Sequence, residues 1–100
     1  MTDLATVTEH IRNAVGENSG LGKTVKIDLG DTGKIYIDGV SSPNTVTNDD
    51  KPADANIGVS LENLLAIGNG SLDPVMAYMS GKLKVDDIMI AQKLAPLLKG

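Results

Sequence analysis

The stretch DPVMAYMSGKLKV, Asp73 to Val85, changes period halfway through, and that change decides the fold class. Asp73 is a good helix N-cap, and Pro74 falls at the first helical position, where its missing N–H is harmless. Val75, Met76, Tyr78 and Met79 make the helix body, and Gly81 stops it. From Lys82 to Val85 the pattern alternates, so Leu83 and Val85 point inward from a short strand. Asp86 and Asp87 can then cap a last helix, IMIAQKLAPLLK, residues 88–99. A helix with one side in water carries an apolar stripe of a little over 100°. Here Ile88, Met89, Ile90, Leu94, Leu97 and Leu98 spread wider, and Pro96 is expected to kink or end the helix.

Working back toward the N-terminus, the same two periods sort the rest of the chain. Leu4, Val7, Ile11, Ala14 and Val15 recur at helical spacing, with Thr2 or Asp3 as cap and Gly16 as stop. In TVKIDL (24–29), Val25, Ile27 and Leu29 alternate with polar residues, as do Ile35 and Ile37 in KIYID (34–38). The turn GDTG (30–33) between them makes an antiparallel hairpin. SSPN is a turn, Val46 centres a short strand, NDDKPADAN is a polar loop, and Ile57 with Val59 marks one more strand. Ser60 caps a helix over LENLLAI, which Gly68 and Gly70 end. This order predicts an α+β fold, an antiparallel sheet covered by helices, with residues 1–100 as one domain and no internal repeat or linker.

Composition narrows the functional classes. Apolar residues are 41% and charged residues 22% of the 100, which is ordinary for a folded, water-soluble chain. There is no Phe and no Trp, so the core is expected to be built from Ile, Leu, Val and Met, a composition that suits an adaptable interior. Without cysteine there is no disulfide, thiolate nucleophile or sulfur-ligated zinc. The N-terminus lacks the pattern of a signal peptide and no stretch is long enough to span a bilayer, so a cytoplasmic protein is expected. A net charge of −4 with scattered cations argues against nucleic acid. Residues 82–100 nevertheless hold Lys82, Lys84, Lys93 and Lys99 against Asp86 and Asp87, while the rest carries 5 basic and 11 acidic groups. This basic end reads as solvated surface, with attraction to anionic partners as the alternative.

The motifs that suggest chemistry fail on spacing. GENSGLGKT (16–24) resembles the end of a phosphate-binding loop, but five residues rather than four separate Gly16 from Gly22. It also leaves a helix and enters a strand, the reverse of the arrangement that points a helix N-terminus at a phosphate. No nucleotide is expected. His10 stands alone with no nucleophile to serve, and the pairs Asp49–Asp50 and Asp86–Asp87 lack the alternating spacing of a calcium loop. No catalytic residue, metal or cofactor is expected.

Taken together, DPVMAYMSGKLKV and the apolar helix after it resemble the sterol carrier protein 2 family, whose members carry N/D-P-x-x-A-x-M-x-G-K-L-K-[IV] before an apolar last helix. Asp73, Pro74, Ala77, Met79, Gly81, Lys82, Leu83, Lys84 and Val85 fall on that pattern. VKIDLGDTGKIYID looks like the family's first hairpin, and ANIGVSLENLLAI like its strand leading into the next helix. Departures are the aliphatic Ile35 where a Trp is usual, the absence of a Phe near Leu64 or Leu65, and Asp86 where a Gly usually precedes Asp87. The chain ends Leu98, Lys99, Gly100, so the peroxisomal address of some members is not expected.

The resemblance implies a five-stranded, mainly antiparallel sheet with helices over one face, enclosing an apolar tunnel for fatty acids, fatty acyl esters, or sterol- or isoprenoid-like lipids, carried without chemical conversion. Expected walls are Ile35 and Ile37 from the hairpin, Leu64, Leu65, Met76 and Met79 from the middle helices, and Ile88, Leu94, Leu97 and Leu98 from the last. Each of these is equally readable as a plain core position. An empty tunnel of about 300 Å³ would cost about 7 kcal/mol, comparable with the whole net stability of a domain, so it should be filled or partly collapsed. The last helix is the expected lid. A lipid-metabolising enzyme or a membrane surface is the further partner the resemblance suggests, and the alternative reading is a non-catalytic module that docks on such an enzyme through the last helix.

Overall fold

A computed structural model of the protein describes residues 3–98, with the side chains of Ala95 and Leu98 outside that description. Helix α1, Leu4–Val15, starts where the Asp3 carboxylate accepts from the Thr6 amide (2.9 Å) and ends at Gly16, whose φ of 61° reverses the chain. Val7, Ile11 and Val15 form its buried stripe, while Ala14 and His10 face water. Strands β1 (Thr24–Asp28) and β2 (Lys34–Asp38) pair antiparallel through a single turn of 3₁₀-helix at Gly30–Thr32. The strand stops one residue short of Leu29, which stays buried as that turn begins.

β3 (Thr45–Thr47), β4 (Ala55–Val59), α2 (Leu61–Gly68), α3 (Pro74–Met79), β5 (Leu83–Val85) and α4 (Ile88–Leu98) complete the order. The Ser60 hydroxyl caps α2 and the Asp73 carboxylate caps α3. Pro96 lies inside α4, two residues before its end, where only one backbone hydrogen bond is forfeited.

The sheet runs β3-β2-β1-β4-β5 and is open. Three of its four pairings are antiparallel and one, β1 with β4, is parallel, so the sheet is mainly antiparallel, as the resemblance implies. Register then builds two apolar rows across one face. Val46, Ile37, Val25 and Ala55 lie side by side in the first, and Ile35, Ile27, Ile57 and Val85 in the second. Because alternate residues point to opposite faces, Lys26, Tyr36 and Lys84 stand on the other side. α1 packs on β3 and α4, α2 on α4, and α3 on β5, so the helices cover the apolar face alone. Gly39 is required at the end of β2, because a Cβ there would lie 2.7 Å from the Lys23 carbonyl oxygen.

Candidate functional site

The inward sheet residues Ile27, Ile57 and Leu83 meet Leu64 and Ile67 of α2, Pro74 of α3, and Ala91 and Leu94 of α4 around an apolar cavity of about 20 Å³. A space of that size holds about one water-sized body, and it offers water no polar partner. By the usual cavity cost it destabilises the fold by only about 0.5 kcal/mol. This cavity by itself is thus far too small for an acyl chain. An acyl chain could enter only if the helices or the side chains lining the cavity moved.

What holds α4 over this space differs along its length. At its N-terminus the anchoring is polar. The Asp86 carboxylate accepts from the Asn56 backbone amide (2.8 Å) and side-chain amide (3.0 Å), and the Asp86 amide donates to the Asn56 carbonyl (3.2 Å). Asn56's side-chain and backbone amides hold the Asp86 carboxyl below its usual value. Asp87 accepts from Lys23 (2.9 Å) and from the amides of Met89 and Ile90, and Lys23 first, then Ile90, lowers its pKa. Asp87 is therefore the cap of α4, and Asp86 is a clamp onto β4. Beyond this corner Ile90 and Leu94 are buried and Leu97 is half-buried against the core.

The residues expected as walls divide into groups. Leu64 and Leu94 line the cavity. Ile35 and Ile37 are fully buried under the helices, and Leu65 and Leu97 pack half-buried on the core. Met76, Met79 and Ile88 face outward instead, exposed by 62%, 76% and 50%. The side chain of Leu98 lies outside the described residues. In α3 only Ala77 is buried, so nearly every other side chain of this one-and-a-half-turn helix points outward.

Of the cavity lining, Ile27, Ile57, Ile67, Pro74, Leu83 and Ala91 were not among the expected walls. Leu83 was readable as inward-facing from its alternation, but the adjacency of Ile27 and Ile57 comes from the parallel pairing, which no local pattern announces. Among the described residues no group of three or more His, Cys, Asp or Glu could hold a metal, and no helix is long and apolar enough to cross a membrane.

A family model described as the SCP-2 sterol transfer family matches residues 9–99. The chain belongs to this family. Among solved structures, sterol carrier protein 2 from Yarrowia lipolytica in its apo form superposes with a TM-score of 0.76 at 19% identity, over 93% of this chain and 87% of that one. Sterol carrier protein 2 like 2 from Aedes aegypti follows with 0.72 at 20% identity, over 93% and 94%. The palmitated form of that Aedes aegypti protein gives 0.65 at 24% identity, over 99% and 96%. No curated protein matches the sequence significantly. At these identities the structural likeness establishes the SCP-2 fold, and the family assignment supports lipid binding and transfer in general terms.

Proposed function

We propose that residues 1–100 act as one non-catalytic lipid carrier, working in the cytoplasm, that takes fatty acids, fatty acyl esters, or sterol- or isoprenoid-like lipids into the space between its sheet and helices. The observation that carries this reading is the wholly apolar cavity bounded by Ile27, Ile57, Leu64, Ile67, Pro74, Leu83, Ala91 and Leu94. Each methylene buried among such walls contributes roughly 0.8 kcal/mol, so affinity needs no directional contact and specificity is broad. Uptake proceeds by widening the cavity. α4 turns about its polar corner at Asp86 and Asp87 while the apolar contacts of Ile90, Leu94 and Leu97 release and re-form around the chain of the ligand. In this reading Ile35, Ile37 and Leu65 line the enlarged space behind the present cavity.

Palmitate is the first ligand to test, since the Aedes aegypti relative has a palmitated form. Native mass spectrometry of the gently purified protein should show a lipid-range adduct that disappears on denaturation, and palmitate at about 100 times Kd should raise stability by about 2.7 kcal/mol. A bare mass together with an unshifted melting curve for fatty acids, acyl esters, sterols and isoprenoids would sink the reading.

A further inference from the structure

The sheet is open, and its two edges are finished differently. The Gly39 amide donates to the Lys23 carbonyl (3.1 Å), and by the alternation of an antiparallel pair Ile37 and Ile35 also turn their backbone groups to β1. Tyr36 and Asp38 therefore bond β3 through Thr47 and Thr45, and Val46 faces the edge. Arg12 closes that edge. Its guanidinium, reaching across from α1, donates to the Val46 carbonyl through Nη2 (2.9 Å) and Nε (3.3 Å), so the acceptor another strand would use is occupied.

At β5 the edge stays open. The Asp86 amide donates to the Asn56 carbonyl (3.2 Å), so in the same alternation Lys84 bonds Gly58, and Leu83 and Val85 turn their amides and carbonyls away from β4. Among the described residues no hydrogen bond reaches these four groups. Lys84, between them, is exposed on the face away from the helices, and Gly58 opposite it offers no side chain. Arg12, Lys23, Lys26, Lys34 and Lys51 each contact a carboxylate, whereas Lys82 and Lys84 pair with none among the described residues. The acids nearby are engaged elsewhere, since Asp73 caps α3, Asp86 clamps Asn56, and Asp87 caps α4 and holds Lys23.

We infer that the β5 edge takes a sixth strand from a partner protein, an extended segment with an acidic residue between two apolar ones. The edge supplies two donors and two acceptors, which fix a short strand through its main chain. In an antiparallel addition the residue opposite Lys84 belongs to a non-hydrogen-bonded pair, the kind that brings side chains closest, so a carboxylate there meets the free ammonium group. Its two neighbours point to the other face, that of α3, which packs on β5 and leaves Val75, Met76 and Met79 exposed. A second copy of this chain fits badly, because pairing β5 with itself through all four groups sets Lys84 against Lys84. The edge is present whether or not the cavity takes lipid, so it stands apart from the carrier reading.

The test is an amide NMR titration of the full chain with the end-blocked peptide Ser-Thr-Val-Glu-Val-Thr-Ser and with its counterpart carrying Lys in place of Glu. The Glu peptide should shift the Leu83, Lys84 and Val85 amides saturably and bind about fivefold more tightly than the Lys peptide. Lys84→Glu should reverse that preference. Val85→Pro should abolish binding of both peptides while the chain stays folded, because a proline at an outward-facing edge position removes no bond to β4. In the parent, unshifted β5 amides or equal affinity for the two peptides overturns the proposal. So do shifts confined to α3 and α4, which would make apolar helix contact the binding mode. Concentration-dependent association that Val85→Pro removes overturns it too, since a second copy would then be the occupant. Palmitate uptake, measured on every variant, reports on the carrier reading separately.

Discussion

Residues 4–47 and residues 60–98 use the same kinds of side chain to opposite ends. In the first region Ile11, Val25, Ile35 and Ile37 are at most 1% exposed, and each cation has a carboxylate partner. Even its one buried polar side chain is satisfied, since the Thr8 hydroxyl donates to the Leu4 carbonyl and accepts from Asn48. In the second region Met76, Met79 and Met89 stand in water, Lys82, Lys84 and Lys93 have no acid partner among the described residues, and a small void remains beneath the helices. The difference teaches that the first region commits nearly all its large apolar side chains to the core, whereas the second leaves several of them at the surface beside a small unfilled space.

The largest effect should come from truncating one side chain in each region. Ile11→Ala and Leu94→Ala each remove a fully buried side chain and should each cost about 2–5 kcal/mol, measured by thermal or urea unfolding. The comparison sharpens when palmitate is added. The Leu94→Ala loss should be partly recovered, because ligand can occupy space at the cavity wall, whereas the Ile11→Ala loss should persist. Equal recovery in both would erase the distinction between the regions.

A smaller effect is expected at the α3 cap. Asp73→Ala removes the acceptor for the amides of Val75 and Met76 and should lower stability by about 1 kcal/mol. If α3 is as loosely held as its exposure indicates, unfolding should remain a single transition, and the change should fall at the lower end of the range for caps.

Acid should have the smallest effect. Asp38 lies below its ordinary value because the backbone amide and hydroxyl of Ser41, then the amide of Val40, bond its carboxylate, and Asp86 does so through Asn56. A folded-state pKa below the unfolded one adds stability that is fully present above about pH 4 and lost as pH falls through the folded values. Exposure keeps these gains modest. Asp86→Asn should lower stability modestly near neutrality and change it little at the lowest pH, where the parent carboxyl is already protonated, so that the acid limb below about pH 4 is flatter. An acid limb identical to that of the parent would show that the Asp86 clamp contributes nothing.

Local order was legible where short-range chemistry fixes it. Asp3, Ser60 and Asp73 are caps because their side chains satisfy amides within three residues, and the hairpin register follows from the alternation around GDTG. Two features were not legible. The parallel pairing of β1 with β4 depends on which strand comes to lie beside which, and alternation alone is silent on that. The outward aim of Met76 and Met79 was hidden because α3 is apolar at almost every position, so no polar face marks its solvent side. Asp86 read as a cap of the last helix because its partner, Asn56, lies thirty positions away. The cavity followed from these non-local facts, which is why only Leu64 and Leu94 of the expected walls line it.

The parallel pair also bears on how the chain assembles. Val25 and Ala55 are partners thirty positions apart, and joining them directly would close a long loop before any contact rewarded it. Once β1, β2 and β3 have zipped as a meander through short turns, β3 delivers the chain back to the sheet, and only residues 48–54 need bridge to β4. A distant encounter thereby becomes a near one. β5 pairs with β4 alone, and α4 packs on α1 and α2 from opposite parts of the chain. The segment that covers the interior is thus held by contacts of long sequence separation, so its place depends on elements the rest of the chain must bring together.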